Sequence, residues 1–121
     1  MILTKPDFAA ILNEAHDAAR MAVIAKGAED MNAFDCGMAW VVIDGTSPLA
    51  RFCRATRRKM ANDTYATRAH YGDKHWQKGW EFWKPGGFAG QAIGHHVAGA
   101  TAFQSVLVRH GINATVGSRY D

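Results

Sequence analysis

The sequence predicts an α+β domain: a small single-layer sheet of roughly three strands, in the order α-β-α-β-α-β, with helices packed on one face. Three observations carry this. The 121 residues show no repeat and no linker, so residues 1–121 form a single domain. Apolar residues at 48% and charged residues at 21% are globular proportions, sufficient for a core without metal or disulfide staples. Stretches with helical apolar spacing alternate with short β-branched or aromatic runs, punctuated by glycine and proline.

The first element is a helix. Thr4 or Asp7 caps it, Pro6 is tolerated in its first turn, and Phe8, Ile11, Leu12, Ala15, Ala19, Ala22 and Val23 make one apolar face. Gly27 is the expected stop, with AEDMN as a polar turn. FDCGMAWVVIDG is the clearest strand. Its centre, MAWVVI, is apolar nearly throughout, which points to cover on both sides, and Asp44-Gly45 turns the chain.

Ser47 caps the second helix, with Pro48 in its first position. Leu49, Phe52, Cys53, Thr56 and Met60 fall on one side of it. Arg51, Arg54 and Arg58 fall on another, at helical steps that align three guanidinium groups. Residues 61–77 are polar and irregular and read as a loop. KGWEFWKP reads as a strand ended by Pro85, with Trp80 and Phe82 facing one way and Glu81 and Trp83 the other. GGFAGQAIG is a flexible loop, and HHVAGATAFQSVLVRHG is the third helix, closed by Gly111 with Ile112 as its hydrophobic contact. INATVGSRYD supplies a last short strand and a polar tail.

No apolar run approaches the roughly 20 residues that span a bilayer, and the N-terminal stretch lacks the pattern of a signal peptide. A cytoplasmic protein with no membrane contact is the expectation. Cys36 and Cys53 stand outside any C-x-x-C pair and are expected as thiols rather than a disulfide. Walker, G-x-G-x-x-G and G-x-S-x-G motifs are absent, so no cofactor is implied.

Charge is unevenly placed. Residues 51–84 hold nine of the fourteen cations and three of the eleven acids, a net +6. The remaining five cations and eight acids leave −3 for the rest. Within that segment, HYGDKHWQKGWEFWKP packs five aromatic rings beside three lysines. Arginine forks match phosphate oxygens, and indoles offer faces on which bases stack. Arg51, Arg54, Arg58, Lys74, Trp76, Lys78, Trp80 and Trp83 are therefore candidate ligand-binding residues for a nucleotide or nucleic acid. The competing reading is a solvated basic face with the aromatics in the core or in a subunit interface.

His95 and His96, at a helix start behind a glycine loop, are candidate anion contacts. They point about 100° apart on a helix and H-E-x-x-H is absent, so no metal site is expected. Arg119 can grip phosphate or pair locally with Asp121 or Asp35. Cys36 beside Asp35 is a weak nucleophile candidate, and Cys53 falls on the inward helix face.

DCGMAWVVI at 35–43, AGATAFQSVLVRHGI at 98–112 and the terminal GSRYD resemble a group of small proteins encoded in bacteriophage genomes. The resemblance covers the last 85 or so residues and implies a phage origin but no reaction. The basic-aromatic segment gives the expectation of an accessory protein that binds an anionic ligand without catalysis, a nucleotide such as a cyclic signalling nucleotide or a nucleic-acid strand, and the resemblance adds the expectation that it counters a host defence. The alternatives are a small nucleotide-acting enzyme using histidine, cysteine and Asp35, and an interaction module that inhibits a host protein. A homo-oligomer is expected because exposed aromatics suit subunit packing.

Overall fold

Strand β1 (Gly37–Asp44) organises the molecule. Its Ala39, Val41 and Ile43 are buried, while Met38, Trp40 and Val42 alternate to the other side and stay partly exposed. The chain is seen as a computed structural model that describes residues 6–29, 36–76, 78–88, 90 and 92–120. The other elements are α1 (Phe8–Glu29), α2 (Pro48–Arg58), α3 (Tyr65–Tyr71), β2 (Asp73–His75), β3 (Gly79–Trp83), α4 (Ile93–Arg109) and β4 (Thr115–Tyr120).

The α+β class holds, with one strand more than expected. Among the described residues, four strands form one antiparallel sheet in the order β2-β3-β1-β4. The added strand, β2, lies in the stretch read as loop, as does α3. Thr64 caps α3 by accepting from the Thr67 backbone N–H, and Gly72 ends it with a φ of 80°. Gly72 also packs against the Trp80 indole and the Glu81 carbonyl, so a side chain there has neither room nor a relaxed backbone. A helix of 7 residues and a strand of 3 are too short to declare a period in sequence.

The core lies between one sheet face and the helices. Leu12, Ala15 and Ala19 of α1, Leu49, Ala50 and Cys53 of α2, and Phe103, Val106 and Leu107 of α4 meet Val41, Ile43, Trp80 and Phe82. α1 runs antiparallel to α4: Gly27 lies beside His95, while Glu14 pairs with Arg109 and His110 at the far end. The expected stop at Gly27 fails, and α1 continues to Glu29. Packing along α4 outweighs the cost of about 1 kcal/mol for a glycine inside a helix.

The cap at Ser47 accepts from the Ala50 N–H, with Pro48 opening α2. Asp7 caps α1, whereas Thr4 lies outside the described residues. Gly111 has a φ of 79°, and Ile112 N–H closes on the Leu107 carbonyl.

Candidate functional site

α2 and the β2–β3 hairpin form the walls of a groove. Its inner part, about 400 Å³, is lined by Arg54, Arg57, Arg58, Asp63, Asp73, Lys74 and Trp80. Its outer part, about 590 Å³, shares Arg54 and Lys74 and adds Trp76 and Lys78. Helical steps bring the arginines to one flank, and alternation along β2 turns Lys74 toward α2.

Arg57 fixes the geometry. One guanidinium nitrogen donates to the Gly72 carbonyl at 2.9 Å and to Asp73 Oδ1 at 3.0 Å, and the other donates to Asp63 at 2.9 Å. Two acids inside a basic segment were the sequence signal for this clamp, and the stripe of Arg51, Arg54 and Arg58 drew attention away from it. Partial burial works against the Asp73 charge, yet its carboxyl lies below the ordinary range because the Lys74 N–H and Arg57 hydrogen-bond to it.

The two aspartates are thus engaged by Arg57. Arg54 donates to the Gly45 carbonyl at 2.8 Å, and Arg51 donates from Nε to the Thr46 carbonyl at 2.9 Å. These partners are neutral, so the charges of both arginines are left uncompensated by them. Arg58, Lys74 and Lys78 are exposed. The groove therefore presents positive charge in excess of its carboxylates, beside a Trp76 ring that is 72% exposed.

Trp80 behaves differently from Trp76. It is 4% exposed, its indole N–H donates to the Tyr71 carbonyl at 2.8 Å, and Arg54 and Arg57 cover its ring. Its π-face is already occupied, so it positions arginines rather than stacking a ligand. Four candidates stand away from the groove. Trp83 faces the opposite side of the sheet and stacks on Trp40, with ring centroids 5.5 Å apart. Arg119 lies on β4, at the far edge of the sheet. His95 and His96 are buried at the start of α4 because Phe88 folds back over both rings, and His96 Nε2–H donates to the Gly90 carbonyl at 2.9 Å.

Other chemistry finds little support in the geometry. Burial pushes the Cys53 thiol up to about 12, far from a nucleophile. Cys36 is exposed, and its expected neighbour Asp35 lies outside the described residues, as does Asp121. Among the described residues, no three His, Cys, Asp or Glu side chains converge as a metal site, and no helix is long and apolar enough to cross a membrane. No protein-family model matches the chain, and no curated protein or solved structure matches it.

Proposed function

We propose that the protein binds an anionic ligand, a nucleotide or a nucleic-acid strand, in the groove between α2 and the β2–β3 hairpin, and releases it unchanged. The observation behind this reading is the meeting of Arg54, Arg58, Lys74 and Lys78 with the exposed Trp76 in one continuous groove. The cations attract phosphate, and the indole offers a face worth about 1–3 kcal/mol per stacked base. The resemblance to phage-encoded proteins extends the proposal to sequestration of a host signalling nucleotide in the cytoplasm of an infected cell.

Thermal unfolding against a panel of mononucleotides, cyclic dinucleotides and short oligonucleotides tests it, with mass spectrometry of the recovered ligand. Stabilisation with intact ligand supports binding without catalysis. Altered ligand assigns an enzyme instead, and silence across the panel removes the reading. A homo-oligomer and a host-protein partner are separate proposals, tested by light scattering and by co-purification.

A further inference from the structure

Two adjoining cavities lie on the other side of α3 from the groove, and they share Ala69 and Trp83. The first, about 260 Å³, sits between α1, α3 and the turn after β3. Arg20, Lys84, His16 and His70 are its titratable lining, and no carboxylate lines it. Arg20 is paired with Asp17 at the surface, whereas the Lys84 ammonium makes no hydrogen bond or ion pair with the described residues, although its backbone N–H donates to the Ala39 carbonyl. The second, about 180 Å³, is lined by Tyr65, Arg68, Asp73 and Glu81 beside Trp83.

The two halves differ in chemistry. Trp40 covers one face of the Trp83 indole, and α3 flanks the cavity on the side away from it. Tyr65, 68% exposed, supplies a second ring at that mouth. Glu81 holds one partner, His75, and Asp73 holds two, Arg57 and the Lys74 N–H, both on Oδ1; a carboxylate has about four lone-pair positions, so both retain acceptor capacity. A flat ring bearing N–H donors suits that half. A compact anion suits the half that holds Arg20 and Lys84. Joined, the cavities reach the range of roughly 300–1,000 Å³ typical of small-molecule sites.

We propose that the paired cavities form one site for a flat, amino-bearing ring joined to a phosphate, the build of a nucleoside monophosphate. The ring lies against Trp83 with its donors on Asp73 and Glu81, and the phosphate sits between Arg20 and Lys84. The site shares Asp73 with the groove, but its cations are separate, because it uses neither Lys74 nor Lys78.

Calorimetric titration with adenosine 5′-monophosphate tests it, with ribose 5-phosphate and inorganic phosphate as controls. The expected result is one site per chain, at least tenfold weaker in the R20Q/K84Q double variant and unchanged in K74Q/K78Q. Arg20, Lys74 and Lys78 are exposed and Lys84 is half-buried, and matching unfolding curves establish that each variant is folded. Binding lost in K74Q/K78Q but kept in R20Q/K84Q overturns this site and credits the groove. No heat at millimolar ligand, or equal affinity for inorganic phosphate, also overturns it.

Discussion

The Arg54 guanidinium stands 5.1 Å from the centre of the Trp80 ring, with its Nη2 hydrogen-bonded to the Gly45 carbonyl. A cation of the groove is thereby anchored to the core. Arg54 has two tasks where Arg58, exposed on the next turn, has one. R54A is expected to cost about 1 kcal/mol of stability and to weaken ligand binding. R58A should weaken binding while changing stability by less than about 0.5 kcal/mol. Urea unfolding of the two variants checks this, and equal destabilisation would contradict the division.

Arg57 is the structural member of the cluster. Its side chain is 15% exposed and carries two ion pairs and a backbone carbonyl. R57A is expected to lose about 2 kcal/mol, a value kept modest because both aspartates are half exposed. R57K should recover less than half of that, since an ammonium lacks the fork that spans three acceptors. Denaturant midpoints at constant slope give the comparison.

His16 makes stability depend on pH. Burial lowers its pKa to about 4, and its ring N–H donates to the His70 carbonyl at 2.7 Å, so the native ring is neutral. The unfolded chain takes up a proton near pH 6.5 and the folded chain resists until about 4. Stability is therefore complete above about pH 6.5 and falls as pH drops toward 4, by about 3 kcal/mol at most. His70 and His96, both lowered chiefly by burial, act in the same direction. Unfolding at pH 7 and pH 4.5 should show the loss, and H16Q should show a smaller one.

Gly117 lies opposite Trp40 in the β1–β4 register, and a Cβ at that position would overlap the indole. G117A is expected to displace Trp40 from its stack on Trp83 and to cost about 1–3 kcal/mol. Near-ultraviolet circular dichroism reads the tryptophan pair directly. An unchanged spectrum with unchanged stability would show that the stack does not depend on this glycine.

Much of the frame was legible because it is local. Ser47-Pro48 and Gly111-Ile112 state their capping chemistry in sequence, and alternation separated Trp80 and Phe82 from Glu81 and Trp83 without saying which pair is buried. The cationic groove was legible in part, since helical spacing aligned Arg54 and Arg58. What stayed hidden depends on distant partners. β2 exists through its pairing with β3, and α1 runs past Gly27 because α4 lies alongside. His95 and His96 looked like solvent-facing donors until Phe88 was seen stacked against them. Trp80 looked like a stacking platform, but two arginines cover it.

The groove itself is tested most directly by the salt dependence of oligonucleotide binding. Anisotropy titrations of a labelled single strand between about 50 and 200 mM salt compare the native chain with K74Q/K78Q. The expected result is saturable binding that weakens with salt, and a log–log slope flattened by about 1.4 when the two lysines are neutralised. Absence of saturable binding, or the same slope in both proteins, would contradict a phosphate-gripping groove between α2 and the hairpin.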